Sequence, residues 1–197
     1  RKLIVRDGHR GPKNIGVSGE FLEWLTDPML NGAGAIVDFG CYGANIATWL
    51  NAGQRPTSVT AVAQQFQPEN NPKVEDDATI ILTYENYQAI LEPSWNWPIG
   101  RKDMEIYGLT GAIYADNGKD LRLRIAEGYD GFDEEKIRIE ERDATVDDPF
   151  SFLIAVIRNE IQMKPYDLSS LENNRIVVEI LEAAIQSAKE GKTSYFK

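Results

Sequence analysis

With 197 residues and 42% hydrophobic content, the chain can bury one sizeable core, and a single domain over residues 1–197 is expected. A formal net charge of -10 and a pI near 4.7 set it against nucleic-acid phosphates and anionic membrane surfaces, so neither is an expected partner. One Cys and one His cannot build an internal disulfide or a structural zinc site, and no metal is expected.

Leu3 to Arg6 reads as a short strand, followed by the glycine- and proline-punctuated loop Asp7-Gly-His-Arg-Gly-Pro-Lys13. Ser18 is a candidate cap for a short helix over Gly19 to Leu25, which Asp27-Pro28 should end. A glycine-rich turn at Asn31 to Gly34 then leads into a helix expected from about Ala35 to Ala52, stopped by Gly53 and Pro56. Asp38, Tyr42, Asn45 and Trp49 recur at helical spacing and share one face of it. Phe39, Gly43, Ile46 and Leu50 form the neighbouring row, expected to face the core. An acid, a phenol and an amide beside so many small residues suggest a site; the plainer reading is a half-buried helix with a solvated face.

The period then changes from 3.6 to 2. Val59 to Phe66, Ala78 to Tyr84 and Tyr87 to Trp95 read as strands, the last two joined by the two-residue loop Glu85-Asn86. Asp103 to Tyr107 and Ala112 to Ala115 follow around Gly108 to Gly111. Asp116-Asn-Gly118 marks a turn, and Leu121 to Ile125 and Ile137 to Ile139 alternate apolar with charged residues. Asp147 or Asp148 should cap a helix with Pro149 in its first turn, running to about Met163. Ser169 to Glu172 reads as a capping box for a last helix that stops at Gly191. Helices, then strands, then helices argue for an α+β fold: an open, mostly antiparallel sheet with helices packed on one face.

Other motifs carry less. Gly32-Ala-Gly34 is no dinucleotide fingerprint: no strand precedes it, and Val37 stands where the third glycine belongs. His9 is the single histidine, and no nucleophile-elbow pattern accompanies it. It is either an exposed loop residue or a border of a cleft. Trp95 and Trp97 follow a strand and point to one side; they are core packing or an edge cap, or a stacking wall for a sugar ring or nicotinamide. Arg101 and Lys102 read as a surface pair, and Glu75-Asp76-Asp77 is assigned no chemistry.

The pattern Gly-Ala-Gly-Ala-x-x-Asp-x-Gly-x-Tyr-Gly-x-Asn over residues 32–45 resembles the substrate-domain signature of the glucose–fructose oxidoreductase / inositol dehydrogenase / MocA family. The resemblance continues in order through nearly the whole chain. It implies the C-terminal substrate-binding and oligomerisation domain of an NAD- or NADP-dependent oxidoreductase acting on a sugar, polyol or related secondary alcohol. It also implies that the cofactor is bound mainly by an N-terminal Rossmann domain absent from this chain, so the fragment alone should be inactive. In that family an Asp precedes a catalytic His or Tyr by four residues, which makes Tyr42 the implied catalytic residue. Asp38 and Asn45 are then implied substrate contacts, and His9, Trp95 and Trp97 are candidate substrate contacts because the resemblance brings their segments near the substrate. Asn45 departs from the acid many members carry there.

Several middle strands carry bulky residues on both faces, which together with the resemblance suggests a homodimer or homotetramer through the open sheet face. The chain begins at Arg1 rather than Met and reads as a piece of something longer. The expected compartment, the cytoplasm, therefore leaves the periplasm open. A non-catalytic carbohydrate-binding or assembly module is the alternative from a different class.

Overall fold

A computed structural model describes residues 1–196. The chain opens with β1 (Lys2–Gly8) and the short helices α1 (Pro12–Ile15), α2 (Gly19–Leu25), α3 (Pro28–Asn31) and α4 (Ala35–Asp38). Helix α5 (Gly40–Leu50) leads to β2 (Ser58–Gln64), β3 (Asp77–Thr83) and β4 (Gln88–Ser94). A meander follows: β5 (Arg101–Tyr107), β6 (Gly111–Ala115), β7 (Asp120–Glu127) and β8 (Gly131–Arg138). The end comprises α6 (Ala144–Asp147), α7 (Pro149–Ile157), α8 (Leu171–Glu190) and β9 (Ser194–Tyr195).

Among the described residues, nine strands make one open sheet in the order β8-β7-β6-β5-β1-β4-β3-β2-β9. Every neighbouring pair is antiparallel except β1 with β4, which run parallel from Lys2 opposite Gln88 to Gly8 opposite Ser94. The fold is therefore the expected open, mostly antiparallel sheet with helices, but its first strand is inserted between a hairpin and a meander. Alternation sends Leu3, Val5, Val59, Ala61, Ile80, Leu82, Ala89 and Leu91 to one face. There they pack with Ala44 and Ala47 of α5 and with Ile176, Val177, Ile180, Leu181 and Ala184 of α8. On the other face Ile4, Ile90 and Ile81 lie side by side across three strands and are half-buried. Next to them Arg6 pairs with Glu92, Asp103 and Glu105.

Several local expectations are corrected. The long helix from Ala35 is two pieces, interrupted at Phe39, whose φ of -111° is stretched from the usual helical value while its ψ of -30° stays helical. The buried residues of α5 are Gly40, Gly43, Ala44, Ala47 and Thr48, whereas Leu50 is exposed. Close approach decides this: a Cβ on Gly43 would sit 2.7 Å from Leu91 Cδ2 and 3.3 Å from Val5 Cβ, so only the small-residue row can seat on the sheet. Asp27-Pro28 starts a helix as well as following one, because Asp27 Oδ1 accepts the Met29 amide at 2.8 Å. At the end of the chain, α7 stops at Ile157. The cap of α8 is Ser170, whose Oγ accepts the Asn173 amide at 3.2 Å, one residue later than the Ser169 box. Gly191 ends α8 in the left-handed conformation, as its position suggests.

Candidate active site

The site begins with an acid in the wrong phase. Leu3, Val5 and Asp7 occupy successive inward positions of β1, so the strand that buries two aliphatic side chains also buries a carboxylate. Asp7 stands directly opposite Lys102 of β5 in the antiparallel register. Lys102 Nζ is 3.8 Å from Asp7 Oδ2, and Asp7 Oδ1 has no hydrogen-bond partner. Burial pushes the Asp7 carboxyl up to about 7; Lys102 pulls it down, and Asp38 pushes it further up.

Asp38 arrives from the other layer, at the end of α4. The first turn of that helix is capped from outside. Gly34 has no side chain, and Glu75 Oε1 accepts the Gly34 and Ile36 amides at 2.9 Å each, while the Glu75 carbonyl accepts the Ala35 amide at 3.2 Å. Asp76 anchors that segment: it is fully buried and accepts from the Phe66 and Gln67 amides and from Asn96 Nδ2. The acidic run thus organises the backbone around α4, a role its sequence did not disclose. Asp38 Oδ2 then accepts Trp95 Nε1–H at 2.8 Å. Burial raises the Asp38 carboxyl, while the Trp95 hydrogen bond and the nearby His9 and Lys102 lower it.

Between these groups lies a cleft of about 430 Å³, with Asp7, His9, Asp38, Arg101 and Lys102 on its polar side and Ile15, Val17, Phe21, Leu25 and Phe39 on its apolar side. His9 packs edge-on against Phe39 at 4.9 Å, and its Nδ1 accepts the Gly11 amide at 3.0 Å. Burial lowers its pKa from 6.5, partly offset by Asp38. Tyr42 stands at the rim, half exposed, its ring tilted against Phe39 at 6.3 Å. Lys102 Nζ lies 4.0 Å from the centre of the Tyr42 ring. Burial, then Cys41, Asp38 and Asp7, raise the Tyr42 phenol above 10, so at neutral pH it is a protonated donor.

The sequence-predicted residues therefore separate. Asp38 and His9 line the cleft, with Tyr42 beside it. Trp95 is fully buried in a cluster with Leu25, Ala35, Phe39 and Val74, so its ring faces are closed to a sugar and only its N–H serves the site. Trp97 is half-buried outside the cleft lining, with the Arg101 guanidinium 5.3 Å from its ring centre. Asn45 donates to the Leu168 carbonyl at 2.8 Å and Asn174 Oδ1 at 3.1 Å, which ties α5 to the start of α8 rather than to the cleft. The break at Phe39 and this tertiary use of Asn45 divide the polar stripe. Asp7 and Lys102 are the additions. Asp7 was signalled by its phase with Leu3 and Val5, but nothing local to Lys102 announces its pairing.

The architecture is an open mixed sheet with helices on one face, and Asp38 and Tyr42 stand near one end of it. The chain belongs to the GFO/IDH/MocA family: its C-terminal-domain model matches residues 6–114. Aldose-aldose oxidoreductase from Caulobacter crescentus, solved with glycerol, is 18% identical with a TM-score of 0.72, over 100% of this chain and 55% of that one. GenD2 from gentamicin A biosynthesis, solved with NAD, is 20% identical with a TM-score of 0.70 over 100% and 55%. An NAD-binding oxidoreductase from Klebsiella pneumoniae is 15% identical with a TM-score of 0.74 over 98% and 58%. The chain thus spans little more than half the length of these structures. No curated protein matches it. Among the described residues no helix is long and apolar enough to cross a membrane.

Proposed function

We propose that this chain is the substrate-binding domain of a nicotinamide-dependent oxidoreductase acting on a secondary alcohol of a sugar or polyol. The observation that carries the reading is Asp38, aimed at the cleft by the buried Trp95 N–H, with Tyr42 four residues on at the rim. Asp38 accepts a substrate hydroxyl and orients the reacting carbon; Tyr42 holds or relays the proton that moves as the alcohol is oxidised. A phenol raised by its surroundings is a poor base alone, so this role needs a cation beside it in the assembled site.

NAD or NADP supplies the hydride chemistry, but this chain is not its phosphate site. The glycine-rich turn at the start of α4 has its Gly34 and Ile36 amides occupied by the Glu75 carboxylate, which repels a pyrophosphate. On this reading the dinucleotide is held by another part of the full protein, and the 197 residues alone do not turn over substrate. The reading also includes a homodimer or homotetramer through the open sheet face. The test is nicotinamide reduction by the full-length protein across a panel of neutral aldoses, cyclitols and linear polyols. Tyr42→Phe should lower kcat roughly 100- to 10,000-fold with little change in KM; a change under about threefold assigns Tyr42 to packing. Sugar binding without turnover would return the chain to a non-catalytic binding module.

A further inference from the structure

The cleft contains two cations from adjacent positions of β5, and they are used differently. Arg101 is committed: its guanidinium makes two hydrogen bonds to Asp103, at 2.7 and 2.8 Å, and covers Trp97. Lys102 has no such pair of short hydrogen bonds to a carboxylate. Its ammonium is suspended between the buried Asp7 carboxylate, 3.8 Å away, and the face of the Tyr42 ring, 4.0 Å away. A long, mostly exposed lysine would ordinarily extend into water, because holding it costs rotamer entropy. Two features hold it here. The β1–β5 register places Asp7 directly opposite, and the Asp7 carboxylate, with one oxygen unpartnered, is buried beneath it. A buried carboxylate so poorly satisfied is a local cost, and such costs are retained where they position something.

We infer that Lys102, anchored by Asp7, is a positioning residue for Tyr42: its ammonium grips the phenol ring by a cation–π contact and brings to the cleft a positive charge that this chain itself supplies. The arrangement is asymmetric. Removing the phenol hydroxyl leaves the grip intact, since the ring remains; removing the ammonium frees the ring and takes the charge away. Tyr42 is otherwise half exposed, and its remaining aromatic contact is the tilted one with Phe39. The inference rests on the proposed role of Tyr42 and adds the group that fixes where the phenol points.

The test has a spectroscopic arm and a kinetic arm, both on the full-length protein. Protons on the Lys102 ε-carbon, read by NMR with labelled lysine and assigned by their loss in Lys102→Met, should lie upfield of exposed lysines because they sit over a ring. The upfield position should survive Tyr42→Phe, vanish in Tyr42→Leu and relax in Asp7→Asn. An unshifted signal in the wild type overturns the grip; a shift indifferent to Asp7→Asn overturns the anchor. With whichever polyol the panel identifies, Lys102→Met should lower kcat roughly 10- to 100-fold with KM little changed, and Lys102→Arg should recover most of it. If Tyr42→Phe abolishes turnover but Lys102→Met does not, the positioning role is wrong while the Tyr42 reading stands. If neither variant affects turnover, both fall.

Discussion

Gly34→Ala is the sharpest test of how the acid of the site is held. A Cβ at Gly34 would lie 1.9 Å from the Glu75 carbonyl oxygen, 3.1 Å from the Glu75 carbonyl carbon and 3.0 Å from Val74 Cγ2. The obstacle is backbone, and that backbone is pinned. Val74 is buried, Asp76 is buried and bonded on both carboxylate oxygens, and the Trp95 amide donates to the Asp76 carbonyl at 2.8 Å. Relief must come from lifting α4, which breaks the Ala35 amide bond to Glu75 and the two bonds from Gly34 and Ile36 to its carboxylate. A neutral hydrogen bond contributes about 1 kcal/mol and one to a charged group about 1.5–3, so partial loss of the three predicts destabilisation of about 3–5 kcal/mol. Asp38 rides on the same helix, so turnover of the full-length protein should fall in parallel. Gly19→Ala is the control: its Cβ meets nothing within 4 Å and its backbone is helical, so stability should hold or rise by up to about 1 kcal/mol. Urea unfolding midpoints at unchanged m-value report both. A Gly34→Ala protein within about 1 kcal/mol of wild type would show that the Glu75 segment yields and that α4 is not fixed by it.

Trp95→Phe should destabilise by roughly 2–4 kcal/mol, since it removes the donor to Asp38 and leaves a void beside Leu25 and Val74; a neutral outcome in urea unfolding would mean that neither contact matters. Asp7 sets a pH dependence. Its carboxyl is raised from 3.8 to about 7, so between those values the folded chain keeps a proton that the unfolded chain has released, and stability falls as pH rises. The Asp7 contribution between pH 5 and 8 is at most about 3 kcal/mol, seen as the difference between wild type and Asp7→Asn in urea unfolding at the two pH values; parallel curves would refute it. For assembly, the row Ile4, Ile90 and Ile81 should be covered by a two-fold related copy. Sedimentation at micromolar concentration should then give at least twice the 22.1 kDa chain mass, and a monomer throughout would refute the interface.

How far the sequence carries depends on the range of the interaction. Ser18, Gly191 and the Glu85-Asn86 loop act within a few residues, and their elements lie where local chemistry puts them. Strand phase was readable for the same reason: Ile80 and Leu82 bury while Ile81 does not. Errors arise where a distant group overrides the local pattern. Phe39 breaks a helix whose periodicity runs straight through it. Asn45 has the spacing of a site residue, but residues from 168 to 174 use its amide. Trp95 read as either core packing or a stacking wall, and its position at a strand end gave no sign that α4 would close over it.

The one parallel strand pair explains why the site was only partly legible and also why it lies where it does. Because β1 and β4 run parallel, their C-terminal ends leave the sheet side by side, with Gly8 opposite Ser94. Because β5 runs antiparallel to β1, its first residues begin at that same edge, with Gly8 opposite Arg101. Two stretches far apart in sequence, residues 7–9 and 95–102, therefore deliver Asp7 and His9, Trp95, and Lys102 to one place. The crossing is so close that a Cβ on Gly8 would lie 2.2 Å from the Ser94 carbonyl oxygen. Backbone, not side chains, fills the centre of this edge, and the chemical groups stand around it. Carboxyl ends of adjacent parallel strands are recurrent ligand sites because the chains diverge there and leave a crevice. Here a single parallel pair suffices, since α4 supplies the opposite wall through Asp38 and its bond to Trp95. Had β1 paired antiparallel with β4, Asp7 and Trp95 would leave opposite edges of the sheet, and no substitution within α4 or α5 could bring them together.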